Sequence, residues 1–136
     1  MKALKVSLTA YFKGFILRRK EMEKTVTISG RDYRMVANAL VPRVYRKTFN
    51  RDMLLDMDEL IKGYNEKVRH GKNIPVQILT IFENVAWIFL KQGGEQVGNS
   101  PDEWLESLDG MFSVYEALPQ VVELWNSTQT TTSIPF

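Results

Sequence analysis

The spacing of apolar residues changes several times along the chain, and each change marks an element. From Thr25 the period is two: Val26 and Ile28 share a face, and beyond Gly30-Arg31-Asp32 the residues Tyr33 and Met35 alternate with Arg34 and Val36. This predicts a β-hairpin with strands over 24–29 and 33–37, Gly30 supplying a turn conformation that costs other residues energy. A lone two-stranded ribbon is barely stable in water, so its apolar face must lie on helices or pair with another chain. An unpaired strand edge is therefore a candidate contact surface.

After the hairpin the period lengthens to that of a helix. Asn38 to Phe49 reads as a first helix with Pro42 in its opening turn, where a missing N–H costs nothing; Val44, Tyr45 and Phe49 share its apolar side and Arg43, Arg46 and Lys47 face away. A second helix, Asp52 to about Tyr64, spaces Met53, Leu54, Met57, Leu60 and Ile61 helically, and the polar stretch Asn65 to Asn73 reads as the loop after it. Pro75 to Gln92 is apolar on more than one face, through Ile78, Leu79, Ile81, Phe82 and the run Val85 to Leu90, and Gly93-Gly94 can end it. A helix apolar nearly all round must be covered on most sides.

Ser100-Pro101-Asp102-Glu103 is the sharpest local signal. Ser100 can accept from the N–H three residues on, Pro101 fits the first helical position, and Glu103 can reach back to the cap. The helix it opens carries Trp104, Leu105 and Leu108 inward and ends near Asp109-Gly110. A last helical region runs from Met111 to Trp125, with Pro119 either kinking it or beginning a new turn, and Phe112, Tyr115, Leu118, Val122 and Trp125 form its apolar stripe. Ser127 to Phe136, rich in serine and threonine, reads as a mobile tail. The expected fold is a small, mostly α domain of about five helices with an N-terminal β-hairpin, spanning 22–126 between a basic and apolar extension, 1–21, and the polar tail, 127–136.

A chain of 136 residues fits one domain and can bury roughly two-thirds of its unfolded surface. The absence of cysteine excludes disulfides, thiolate metal sites and thiol nucleophiles, and suits a reducing cytoplasm. The longest apolar run, Val85 to Leu90, is far short of the roughly 20 residues a membrane span needs.

The net charge of +2 conceals an asymmetry. Residues 1–21 sum to +5, residues 22–91 to +4 and residues 92–136 to −7, with Lys91 the last basic residue. Nucleic-acid binding needs a concentrated basic face, which this distribution does not offer. For the basic extension, Lys13 interrupts the apolar stretch of a secretory signal and no small-residue cleavage site follows. An amphipathic segment is the second reading, with Leu4, Leu8, Tyr11, Phe12 and Phe15 on one side. The preferred one places the natural start at Met22.

No constellation for a reaction emerges, and no catalytic, cofactor or metal residue is assigned. His70, the only histidine, reads as a solvated loop residue. Asp56-Met57-Asp58-Glu59 lacks the glycine and spacing of a calcium loop and reads as the polar face of the second helix. Gly93-Gly94 lacks the lysine of a phosphate loop, and no serine lies in a nucleophile motif. Of the three tryptophans, Trp87 and Trp104 read as core. Trp125, at the end of the last helix, joins Tyr115, Leu118 and Val122 as the candidate partner-binding patch, because aromatic side chains dominate binding hot spots.

From Met22 onward the order of features resembles the tail assembly chaperones of long-tailed phages and prophages of Gram-positive bacteria. The residues that carry the resemblance are Thr25-Val26-Thr27-Ile28-Ser29-Gly30 with Tyr33, Ala37-Asn38-Ala39-Leu40 leading into Pro42 and Tyr45, and the apolar helix around Trp87. It continues through Pro101-Asp102-Glu103-Trp104-Leu105 and Ala117-Leu118-Pro119 to Glu123-Leu124-Trp125-Asn126 and the threonine-rich tail. These blocks cover most of residues 22–132, and residues 1–21 depart from the pattern. The resemblance implies a non-catalytic helper in the cytoplasm of the bacterial host, absent from the mature virion, that coats the tape measure protein and delivers tail tube subunits to it. It further implies self-association and a longer form made by ribosomal frameshifting in the polar tail, with no cofactor and no nucleic acid. An amphipathic peripheral membrane or regulatory module is the alternative, and it depends on residues 1–21.

Overall fold

The computed structural model describes residues 21–132, so the readings of residues 1–20 and the last four residues of the tail lie outside the described residues. Strands β1 (Glu21–Ile28) and β2 (Arg31–Asn38) pair antiparallel, with Ile28 opposite Arg31 and Val26 opposite Tyr33. The turn is tighter than expected, Ser29-Gly30 with φ of 54° and 78°, so β2 starts two residues early, and at the other end of the ribbon pairing continues to Glu21 opposite Asn38. Two successive positive φ values match the right-handed twist of a hairpin, and glycine takes the second at no steric cost. The less natural first position is pinned from outside, the Ser29 hydroxyl donating to the Asp109 carbonyl at 2.7 Å and the Ser29 N–H to Glu116 Oε1 at 3.2 Å.

Helix α1 (Val41–Phe49) starts three residues later than expected, because Asn38 still belongs to β2 and its Oδ1 accepts the Leu40 N–H at 3.1 Å. Helix α2 (Met53–His70) is capped by Asp52, whose carboxylate accepts the Leu54 N–H at 2.8 Å. It runs through the residues expected to form a loop and stops at Gly71, where φ reaches 66° and the N–H closes on the Lys67 carbonyl. Lys67, Arg69 and His70 occupy its last turn and complement the negative end of the helix dipole.

Helix α3 (Val76–Gln92) is the centre of the fold. It packs against β2 and against each of the other α-helices among the described residues, and buries Ile78, Ile81, Phe82 and every residue from Val85 to Leu90. At about 1.5–3 kcal/mol for each large apolar side chain, this one element supplies much of the driving force for folding. Its C-terminal end must approach β2 closely: a Cβ on Gly93 would run into the Arg34 carbonyl oxygen. Beyond Gly93 the Glu95 carboxylate accepts the Arg34 N–H at 2.7 Å, so the loop covers that part of the β2 edge. Strand β1 pairs with β2 alone among the described residues.

Helix α4 (Pro101–Ser107) begins at the predicted cap, Ser100 Oγ accepting the Glu103 N–H at 3.3 Å. The Glu103 side chain reaches back one residue further than expected, to the Asn99 N–H at 3.3 Å. The expected continuous helix from Met111 is instead a turn, a 3-10 helix (Ser113–Ala117) and then α5 (Leu118–Thr132), so Pro119 opens a new helix. Helix α5 continues into the polar stretch expected to be a tail, with the Thr128 hydroxyl donating to the Trp125 carbonyl at 2.6 Å. The fold is mostly helical, and among the described residues five α-helices and one 3-10 helix follow an N-terminal hairpin. No helix among the described residues is long and apolar enough to cross a membrane.

Candidate protein-binding surface

The apolar stripe on α5 faces the core. Leu118 and Val122 are each only 5% exposed, because they recur at helical spacing with Val121 and Leu124 on the side that packs against β1 and the 3-10 helix. Trp125 is half-buried against the same cluster, and beside it Glu123 is tied to Lys24 at 2.8 Å. Of the expected four-residue patch, Leu118 and Val122 are buried in the core, and Tyr115 and Trp125 keep partly accessible surface. Trp87 and Trp104 are both buried, as expected.

The structure places a different apolar surface in solvent. Met111 and Phe112 are 85% and 71% exposed, in the turn between α4 and the 3-10 helix. Sequence periodicity missed them by starting the last helix at Met111 and placing Phe112 on its apolar stripe, whereas the chain turns here, after Gly110 with its φ of 87°. Two large apolar residues directly after Asp109-Gly110 were the available signal. Phe112 lies against Tyr115, ring centroids 6.4 Å apart, and Tyr115 in turn lies 6.0 Å from the buried Phe82. An open cleft of about 310 Å³ beside them is lined by Glu83, Leu105, Leu108, Met111, Val114 and Tyr115.

This surface is acidic. The Tyr115 hydroxyl donates to Glu83 Oε2 at 3.2 Å. Burial pushes the Glu83 carboxyl above its usual range, and the nearby Asp102 charge adds to that against the opposing effect of the Tyr115 hydrogen bond. Burial and then the Glu83 charge likewise raise the Tyr115 phenol. Asp102, Glu106, Asp109 and Glu116 form no ion pair among the described residues. Arg31, two residues past the Ser29 that bonds to Asp109 and Glu116, lies over the Tyr33 ring, 5.0 Å from its centroid.

A larger groove of about 700 Å³ runs between α2 and α3, floored by Gly63, Ile78 and Ile81. Its charges alternate in sign and some pair with each other, Lys72 reaching Glu66 at 3.3 Å. Nor does the acidic cluster of α2 behave as one polar face. Asp56 is 3% exposed and receives three hydrogen bonds, one from the Tyr45 hydroxyl at 2.6 Å and two from the Arg51 guanidinium at 2.8 Å each. His70 is exposed at the end of α2, 3.8 Å from Glu66, rather than in a loop. Among the described residues no group of three or more histidine, aspartate or glutamate side chains is placed to hold a metal ion. In comparisons with known proteins, no family, no curated sequence and no solved structure matches the chain.

Proposed function

We propose that this protein is a tail assembly chaperone of a long-tailed phage or prophage, a non-catalytic helper that binds the tape measure protein and recruits tail tube subunits to it. It acts in the cytoplasm of the bacterial host, associates with itself and is left out of the finished virion. The phage assignment rests on the sequence resemblance. The observation that carries the binding role is the exposed Met111-Phe112 pair beside Tyr115 and an open cleft. Two adjacent large side chains left in water forgo roughly 1.5–3 kcal/mol each, a loss that contact with a client recovers.

Co-expression of the full chain with the tape measure and tail tube proteins from the same genome tests the reading. Both should copurify with the tagged chain, and deletion of its gene should stop tail formation without affecting heads. Normal tails in the deletion strain would refute it.

A further inference from the structure

The chemistry around Met111 and Phe112 narrows what the surface can hold. The elements that build it are α4, a turn and a 3-10 helix, so it offers no strand edge for an extended peptide to pair with. Recognition must come from side chains, which favours a partner whose backbone is already hydrogen-bonded to itself, namely a helix. The cleft, at about 310 Å³, suits one or two anchoring side chains rather than a whole helix, which is roughly 10–12 Å across. Met111 and Phe112 stand beside it as the two exposed contacts.

Charge fixes the rest. Asp102, Glu106, Asp109 and Glu116 are exposed and without ion pairs among the described residues, and no basic residue follows Lys91 in the sequence. An acidic helix brought here meets like charge on several sides, whereas a basic one meets carboxylates not already committed to a cation. We propose that the Met111-Phe112 surface binds a basic amphipathic helix, seating an apolar side chain in the cleft and setting its flanking lysines or arginines against these carboxylates. This deepens the chaperone reading and rests on it for the identity of the natural client.

The test uses the full chain and labelled synthetic helices of about 20 residues with a leucine face. One carries lysine on its polar face and the other glutamate. In fluorescence anisotropy the lysine helix should bind at least about tenfold tighter, and the difference should shrink as salt rises from about 0.1 M to 1 M and the Debye length falls from about 10 Å to 3 Å. Phe112→Ser should weaken the lysine helix about tenfold or more with an unchanged melting curve. Glu106→Gln with Asp109→Asn should weaken the lysine helix and tighten the glutamate helix, whose like-charge repulsion it relieves. Equal binding of the two helices, or full binding by a folded Phe112→Ser protein, overturns the proposal. So does a finding by light scattering that Phe112→Ser converts an oligomer to a monomer, because a second copy then occupies the surface. Tape measure capture that survives Phe112→Ser removes this site and leaves the chaperone reading standing, whereas helix binding without any capture does the reverse.

Discussion

Two tyrosine–carboxylate pairs sit in different parts of this molecule and meet opposite electrostatic fates. At the α1–α2 corner Tyr45 donates to Asp56 at 2.6 Å, and Arg51 closes the pair with two further bonds. Burial alone drives the Asp56 carboxyl up, but the Arg51 and Tyr45 hydrogen bonds more than offset it, so the group ends below its usual range. Burial first, and then the adjacent carboxylate, push the Tyr45 phenol well up. At the α3–3-10 corner Tyr115 donates to Glu83 at 3.2 Å, no cation approaches to ion-pair distance among the described residues, and the Glu83 carboxyl stays above its usual range. The difference lies in the third partner. A carboxylate whose cation comes from within the chain is part of the scaffold; one that lacks it, next to exposed apolar side chains, suits contact with another molecule.

The largest expected effect comes from breaking the closed pair. Asp56→Ala removes the acceptor of a buried phenol and both of the Arg51 bonds, so it should cost about 3 kcal/mol in urea unfolding at neutral pH. Arg51→Met should cost less, because the guanidinium is largely exposed and the Tyr45 bond survives. Losses of similar size for Asp56→Ala and Glu83→Ala would erase the distinction between the two corners.

The same contrast between closed and open partners recurs in the core. The Trp87 indole N–H donates to the Val97 carbonyl at 3.0 Å, whereas the equally buried Trp104 N–H has no partner among the described residues. Trp87→Phe leaves a cavity and orphans a carbonyl, at a cost of about 2 kcal/mol. Trp104→Phe leaves a cavity too but removes an unpaired donor, so its cost should be smaller by about 1 kcal/mol. Equal losses in parallel unfolding experiments would mean that a water or an unseen group already satisfies Trp104.

These pairs also mark where sequence reading stops. Helix α3 and the Ser100 cap were legible because their signals are local: an apolar run, and a serine three residues ahead of a glutamate. Asp56 was not, since its burial depends on how α1 and α2 cross and bring Tyr45 and Arg51 to it. Continuation of α2 to His70 was hidden by polar residues that carry no helical stripe, until Gly71 ended it. On α5 the stripe of Leu118, Val122 and Trp125 was legible but its direction was not, because the apolar face of the hairpin claims it. Met111 and Phe112 escaped for the converse reason: the chain turns at these two residues before the 3-10 helix begins at Ser113, so Phe112 points into solvent where a helix begun at Met111 would have put it on the stripe.

Phe112→Ser sharpens the comparison from the open side. A side chain already 71% exposed supports little of the fold, so unfolding free energy should move by no more than about 0.5 kcal/mol. Tape measure capture should fall sharply in the same protein. A large loss of stability would place Phe112 in the scaffold with Asp56.

The smallest effect is a dependence on pH in which the two corners run in opposite directions. A carboxyl held below its usual range, as at Asp56, stabilises the fold above its unfolded-state value, and that contribution disappears as the pH falls through its folded-state value. Glu83 is raised, so its contribution is complete below about pH 4.3, the ordinary glutamate value, and is lost as the pH climbs through the higher folded-state value. Unfolding measured across this range should therefore show wild type losing stability relative to Glu83→Gln as the pH rises, and relative to Asp56→Asn as it falls at the acid end. A basic helix seated beside Glu83 favours its ionised form, so by linkage binding should tighten over the same rise in pH, and glutamine at position 83 should flatten that dependence. If the slope persists in Glu83→Gln, another carboxylate of the acidic surface supplies the missing half of the pair.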